Sequence, residues 1–425
     1  MTETRSGALP SSRAHPVLTA VAWNPDRPAE RIADAVLMSR GTSNSYLVTS
    51  GDGDVVINTG TPYQGQRHRE RYEQLLGRPL DVRAIILTQS HPDHMGGWSA
   101  FAAPGVETIA QRFYPDGRLD RTLLKDFFAP RSRRIVGGMS PSPEHLRTWF
   151  HGTEEAEVTT LFDQAHELEV GGRRFELFST PGGETLDSLS IWLPEERILF
   201  TGNLMGAIYG GLPHLYTPRG DRQRSARFFI RDMDRLLALE PELLVTGHDE
   251  PIGGAEQIRS DLTKLRDAIA YIHDATIAGM NEGKDLFTLM SEIELPSELA
   301  PGPGRGPVSW YVRAVWEEHA GWFRQELTTE LYAVPQRAVW PELVELAGGV
   351  DPLAERAAAH AAAGRPVEAL HFVEIGLSVD PRHVALREAQ VAALEQLIEQ
   401  TGGRTYDELA WLEGELEQAQ AALAS

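Results

Sequence analysis

The sequence predicts an α/β protein, a sandwich of sheets flanked by helices, with an all-helical domain behind it. Three observations carry this. Short apolar runs rich in β-branched residues alternate with helical stretches, twice over, as far as about Gly283. Four of those runs end in polar turns containing or adjoining glycine, the arrangement in which layered α/β folds build sites at strand ends. Beyond the breaker-rich stretch from Pro296 to Pro307 the chain reads as helix almost throughout.

Taken in order, Val36 to Val48 reads as strand, glycine turn and strand, and Asp52-Gly53 as a hairpin leading into Asp54 to Gly60. A polar helix around His68 to Leu76 precedes the buried strand Arg83 to Leu87. Residues 100–160 are less regular. Within them Phe127 to Gly138 is basic and aromatic, with Arg131, Arg133 and Arg134 close together; a solvent-facing insertion is expected, with the mouth of an anion pocket as the alternative. Strands return at Glu167 to Val170 and Arg174 to Ser179 around Gly171-Gly172, at Ser188 to Leu193 and Arg197 to Phe200 around Pro194-Glu195-Glu196, and at Leu243 to Val245. A long helix is expected from Ala255 to Gly283. Further helices are expected over Val312 to Leu331, Pro341 to Ala347, Leu353 to Ala363, Pro366 to Val379, His383 to Thr401 and Tyr406 to Leu423. The spacing of alanines around Gly364 and Asp380-Pro381 resembles tetratricopeptide-like helical hairpins, which suit association better than chemistry. The expected domains are a disordered lead at 1–20, a catalytic domain at 21–285, a linker at 286–307 and a helical domain at 308–425.

At 425 residues the chain exceeds one core. Its 41% apolar and 24% charged content is that of an ordinary globular protein, and 61 acidic against 40 basic residues give a net charge of −21. That charge argues against nucleic acid or an anionic membrane as partner. With no cysteine, disulfides, thiolate catalysis and Cys-based zinc sites are excluded. There is no apolar run of transmembrane length and no secretory h-region in Met1 to Pro16, so a cytoplasmic protein is expected.

The stretch Thr88-Gln89-Ser90-His91-Pro92-Asp93-His94-Met95-Gly96-Gly97 organises the rest. Two imidazoles and a carboxylate within four residues is the density of a metal site rather than of a solvated loop or a helix cap. The other strand ends add Glu184, Asn203 and His248. His15, His68, His145, His151, His166 and the five carboxy-terminal histidines show no pairing and read as structural or solvated. Trp98, Phe101, Tyr114 and Tyr209 fit a pocket lining or core packing equally well.

The ordered set Gln-Ser-His-Pro-Asp-His, Pro-Gly-Gly-Glu, Thr-Gly-Asn and Gly-His resembles the motifs of the metallo-β-lactamase superfamily, with Asn44-Ser45-Tyr46 and Ile57-Asn58-Thr59-Gly60 similar to its opening strands. Within it the chain looks like the alkylsulfatase branch. Thr180-Pro181-Gly182-Gly183-Glu184 matches the motif in which Glu replaces a third His, and Leu215-Tyr216-Thr217-Pro218-Arg219-Gly220 matches a stretch whose Arg lies at the sulfate site. Val312-Arg313-Ala314 and Gly321-Trp322-Phe323 open a region similar to the alkylsulfatase dimerisation domain. The sequence ends with these helices, without the lipid-binding-like domain of full-length alkylsulfatases, which counts against long-chain alkyl sulfates as substrates. The resemblance implies a four-layer αββα sandwich and a homodimer formed through the carboxy-terminal helices.

It also implies two adjacent metal sites. Gln89, His91 and Glu184 would face the first, Asp93, His94 and His248 the second, with position 203 between them. The second set is intact and suits catalytic zinc, or the two-His-one-carboxylate face used by iron. The first is weakened, because Gln89 is a poor ligand and Asn203 is neutral where an acid usually bridges. Two dications would then set four positive charges against Asp93 and Glu184, and a hydroxide would leave one positive charge over. One strong and one weak site are expected, holding a divalent metal, zinc foremost, with iron or manganese as alternatives. The leading function is a metal-dependent hydrolase of a small anionic ester, a sulfate ester first, using a metal-bound hydroxide that Asp93 orients. Arg219 would hold the anionic head, unless it serves in a salt bridge to Asp221 or Asp234, and Tyr216 and His214 are candidate proton donors. The alternatives are a non-hydrolytic metalloenzyme, namely an oxygenase with one or two irons or a lyase or isomerase, and a degenerate binding protein. The survival of His91, Asp93, His94, Glu184 and His248 argues against the last.

Overall fold

The computed structural model describes residues 9–136, 153–206 and 208–424. Gly138, His145 and His151 lie outside them. The chain divides into two compact units, Pro16–Glu318 and the remainder, Met1–His15 with His319–Ser425.

The first unit is built on two sheets. One has seven strands in sequential order: β1 (Glu30–Ala33), β2 (Val36–Ser39), β3 (Ser45–Ser50), β4 (Gly53–Ile57), β5 (Val82–Ile86), β6 (Glu107–Gln111) and β7 (Thr160–Phe162). β1 to β4 pair antiparallel, and β4 to β7 parallel. The other has six: β8 (Ala165–Val170), β9 (Arg173–Ser179), β10 (Leu189–Leu193), β11 (Ile198–Phe200), β12 (Leu243–Val245) and β13 (Ile252–Gly253). It is antiparallel except where β11 runs parallel to β12.

Strand periodicity assigns the layers. Alternate residues Val36, Met38, Tyr46, Val48, Val55, Ile57, Ala84 and Ile86 join Phe175, Leu177, Ile191, Phe200 and Val245 in one core between the sheets. Their neighbours Leu37, Leu47, Val56, Ile85 and Leu87 face outward and pack with Tyr72 of helix Gly65–Leu76. On the far side Phe178, Trp192, Leu199 and Leu244 are covered by helices Ala226–Leu237, Ala255–Asn281, Leu286–Glu292 and Val308–Ala320. Strands covered on both faces read as near-continuous apolar runs, as β5 does. The result is the expected αββα sandwich. Each fully buried aliphatic contributes about 1.5–3 kcal/mol.

The Pro/Gly-rich stretch does not mark where the units part. Helix Val308–Ala320 follows it, and Tyr311, Val312, Ala314 and Val315 are buried in the first unit's outer core beside Leu262 and Ile269. The division falls in the last turn of that helix, between Glu318 and His319. The helix predicted over Val312 to Leu331 stops at Ala320, because Gly321 takes the left-handed conformation (φ 71°) that ends helices.

In the second unit, helices Asp351–Ala362 and Pro366–Leu377 form one hairpin through Gly364, and Val384–Gln400 and Tyr406–Ala424 form another through Gly402 and Gly403. Leu353, Ala357, Val373 and Leu386 make one core, and Leu394, Ile398, Leu409 and Leu412 another. Part of the lead expected to be disordered is ordered. Ser12–Ala14 forms a 3₁₀ turn, and Ser12 N donates to Glu413 Oε1 at 3.0 Å. Among the described residues no helix is long and apolar enough to cross a membrane.

Candidate metal centre and anion pocket

Four strand ends deliver the candidate ligands. β5 leads into Gln89, Ser90 and His91; Pro92 then opens a one-turn helix, Pro92–Met95, that carries Asp93 and His94. Proline at the first helical position has no N–H to leave unpaired, so the turn can be tight. Glu184 follows β9, Asn203 follows β11 and His248 follows β12. Gly247 permits this convergence, since a Cβ there would lie 2.1 Å from Asn203 Oδ1 and 2.8 Å from His94 Cε1.

Asp93, His94 and His248 come together. Their ligand atoms all lie within 4.8 Å of one another, and all three residues are buried. Asp93 Oδ2 is 3.5 Å from His94 Nε2 and 3.7 Å from His248 Nε2. Hydrogen bonds from outside the group orient the rings. His248 Nδ1 lies 2.6 Å from the Thr42 carbonyl and donates to it, which leaves the Nε2 lone pair facing inward. His94 Nδ1 is ringed by Asn58 Nδ2 at 3.0 Å and Ser43 Oγ at 3.2 Å. Asn58 sits at φ 56°, and its Oδ1 also accepts from Thr88 N at 2.9 Å, tying the end of β4 to the ligand loop. Burial pushes His94 down to about pH 3, so it stays neutral. Burial pushes Asp93 up, but the neighbouring imidazoles of His94, His248 and His91 outweigh it and hold the carboxyl below its usual range.

The first set also converges, differently. His91 Nδ1 is 3.3 Å from Glu184 Oε1 and accepts from Gln89 Nε2 at 3.1 Å. Asn203 does the same in the other set, donating through Nδ2 to His248 Nε2 at 3.1 Å. Each amide thus satisfies the histidine lone pair that a cation would use. Each leaves its own oxygen stranded: Gln89 Oε1 and Asn203 Oδ1 are buried without a hydrogen-bond partner. Stranded acceptors around a buried carboxylate are what a bound cation would satisfy, so the residues present fit one.

Glu184 is also bound from behind. The buried Arg224 donates to its backbone carbonyl and lies 3.4 Å from its Oε1. Burial raises the Glu184 carboxyl, but Arg224 and His91 bring it below its ordinary value. Beside this pair opens a cavity of about 300 Å³, with His91, Glu184, Arg121, Arg219, Asp221 and Arg224 on its charged wall. Its apolar wall includes Phe113, Leu124, Phe127, Phe128 and Leu186.

Of the residues predicted to bind substrate, Arg219 lines this cavity, and it lies 3.9 Å from Asp221 while Asp234 pairs with Arg266 instead. His214 and Tyr216 are not among its lining residues: Tyr216 packs on the outer core, and buried His214 offers its carbonyl to Arg224. The basic aromatic stretch belongs to the pocket rather than to solvent alone, for helix Lys125–Val136 supplies Phe127, Phe128 and Arg131, and Arg131 donates to the carbonyls of Pro218 and Arg219. Phe101 and Tyr114 are core residues, Trp98 packs against that core and Tyr209 against the outer one. Sequence reading passed over Arg121, Arg224 and the positioning role of Asn58. The charge density of Arg219 to Arg224 was the available signal for Arg224; nothing local marked Arg121, which the fold brings to the pocket from a helix about a hundred positions earlier.

Comparison with known proteins agrees with this geometry. The metallo-β-lactamase superfamily model matches residues 38–248, and the alkyl sulfatase dimerisation model matches residues 288–414. A linear primary-alkylsulfatase of a Pseudomonas species is 26% identical over 332 residues, covering 72% of this chain and 61% of the relative. An alkyl/aryl-sulfatase of Saccharomyces cerevisiae is 26% identical over 414 residues, covering 91% and 63%. The chain therefore spans less than two thirds of the length of either. The solved structure of a stereoselective inverting sec-alkylsulfatase from a Pseudomonas species shares the fold, with TM-score 0.78 at 21% identity over 97% of this chain and 69% of that one. The chain thus joins a metallo-β-lactamase superfamily domain to an alkylsulfatase dimerisation domain.

Proposed function

We propose that this protein is a metal-dependent hydrolase of a small anionic ester, a sulfate ester foremost. The observation that carries the reading is the shared wall of the cavity, where the guanidiniums of Arg219 and the half-buried Arg121 stand beside His91 and Glu184. An anion clamp beside candidate metal ligands suits a sulfate ester, and the alkylsulfatase relatives support that substrate class. Asp93, His94 and His248 would hold one divalent cation, zinc foremost, and Gln89, His91 and Glu184 a weaker second, with Asn203 between. When bound, such a cation acidifies water and offsets charge building on the departing oxygen.

The chain's own residues do the rest. Arg219 orients the anionic head through a planar fork suited to two oxygens. Asp93, held ionised, aligns the attacking water and accepts its proton. Phe113, Phe127 and Phe128 receive the apolar part of the ester and exclude water from it. His214 and Tyr216 stay candidates for protonating the leaving oxygen only if the 211–220 segment turns them toward the cavity.

The test is hydrolysis of short alkyl and aryl sulfates by the metal-reconstituted chain. Sulfate release that disappears with a chelator and returns with zinc is expected. No turnover of any sulfate, phosphate or carboxylate ester with zinc, iron or manganese would sink the reading. One observation favours a second reading: Asp93, His94 and His248 are the group of three metal-competent side chains found together among the described residues, a two-His-one-carboxylate face. Purification with one iron and no esterase activity would select that non-hydrolytic alternative.

The helical region carries the association. Trp322, Tyr332 and Leu346 are 74%, 68% and 84% exposed, apolar surface of the kind that a second copy covers. A homodimer is expected by light scattering, shifted toward monomer by Leu346→Glu.

A further inference from the structure

The carboxylate of Asp221 has no part in the mechanism above, yet one of its oxygens sits at a focus. Oδ2 lies 3.3 Å from Arg224 Nη2, 3.6 Å from Arg121 Nη2 and 3.9 Å from Arg219 Nη2. The same oxygen lies 3.5 Å from His91 Nε2. The two nitrogens of His91 therefore face different partners. Nδ1 accepts from Gln89 and looks at Glu184, so the ring proton is on Nε2, pointing at Asp221.

We propose that Asp221 is a positioning residue for the first metal site: it holds His91 in the Nε2–H form, with the Nδ1 lone pair turned toward Gln89 and Glu184, while the three guanidiniums fix the carboxylate. It rests on the reading of Gln89, His91 and Glu184 as metal ligands. A carboxylate on the far nitrogen of a ligating imidazole sets its tautomer, its orientation and its basicity. The support matters more here than in an ordinary site, because Gln89 contributes only a neutral amide. The arrangement also ties the anion pocket to the metal, since Arg219 and Arg121 contact both Asp221 and the cavity.

The experiment is a zinc titration of the full chain, stripped of metal, by calorimetry, with metal content after dialysis as a second readout. The unmodified protein is expected to take up two equivalents in a strong and a weak step. Asp221→Asn is expected to weaken the weak step roughly tenfold or more and to leave the strong step within about twofold. The retained strong step shows that the variant is folded, and Asp221→Glu is expected to recover part of the loss. An unchanged weak step in Asp221→Asn overturns the proposal. So does equal loss of both steps, or uptake of a single equivalent by the unmodified protein at millimolar zinc. No ester is turned over in this test, so failure of the sulfatase reading leaves its outcome intact.

Discussion

The two candidate ligand sets share the loop from Gln89 to His94, are completed by different strand ends, and are compensated by opposite means. Asp93, His94 and His248 form a closed group whose rings are fixed from outside by Thr42, Ser43 and Asn58. Gln89, His91 and Glu184 are open on one side, where Arg224 neutralises Glu184 and Asp221 faces His91. The first kind keeps its charge for a cation. The second spends part of its negative charge on arginines, so on the proposed reading it would bind a cation less strongly and would stand nearer the anionic ester.

The largest effect should come from breaking the closed set. His94→Ala or His248→Ala should abolish the strong metal equivalent and lower turnover by about a thousandfold or more, since the site then has two ligands. Gln89→Ala should cost far less in metal content. Metal analysis beside kcat decides this, and a Gln89→Ala variant poorer in metal than His94→Ala would reverse the ranking of the two sites.

Next is the buried arginine. The side chain of Arg224 is 2% exposed, and its loss strands the buried Glu184 and takes one of three guanidiniums from Asp221. Arg224→Met should destabilise the metal-free protein by about 3–5 kcal/mol in denaturant unfolding, because the partner charges stay buried. Added zinc should recover part of that loss if Glu184 is a ligand. A destabilisation that zinc does not touch would place Glu184 outside the metal site.

The fold was legible because its strands obey one rule. Short apolar runs along β2 to β5 and turn signals at Asp52-Gly53 and Gly171-Gly172 are local facts, and the structure keeps them, burying those strands on both faces. The ligands were legible because they sit at strand ends in recognisable order. Arg121, Asn58 and the carbonyl of Thr42 were not, since each acts through a contact that only the folded chain makes. The compact units part later than the breaker-rich stretch, at Glu318, since such a stretch marks where regular structure stops, not where packing stops, and Val308–Ala320 resumes packing on the same core. His214 and Tyr216 were placed by their neighbour Arg219, but in an irregular segment adjacent residues need not share a direction.

Restoring charge tests whether the two amides are the cause of the asymmetry. Gln89→His with Asn203→Asp supplies an imidazole to the first set and an anion between the two. The weak zinc step should tighten by about ten- to a hundredfold in calorimetry, while the strong step changes less. A rise in sulfate ester turnover alongside it would mean that the amides only weaken ordinary hydrolysis. Tighter zinc with loss of turnover would mean that they are part of the native activity.

The smallest effect calibrates the rest. His68 is a buried imidazole that belongs to neither set; its Nδ1 meets Ser39 Oγ at 2.7 Å, and burial, helped by Arg71, lowers it from 6.5 to about 3. The unfolded chain takes up a proton on this ring near pH 6.5, but the folded chain only near pH 3. Between those values the unfolded state binds more protons, so stability falls as pH drops from about 6.5 toward 3, by about 1.4 kcal/mol per pH unit for one such ring. His94 behaves alike in the metal-free protein, and the two together should give about twice that slope. Zinc leaves that slope in place, since the folded ring of His94 carries no proton with or without it, and instead adds stability on top of it. His68→Gln should remove half of the slope and none of the gain from zinc. His94→Ala should remove the other half and most of that gain. Stability measured against pH for these proteins, each with and without zinc, therefore separates a histidine buried for a cation from one buried for packing. A gain from zinc that His94→Ala leaves intact would mean that His94 belongs with His68.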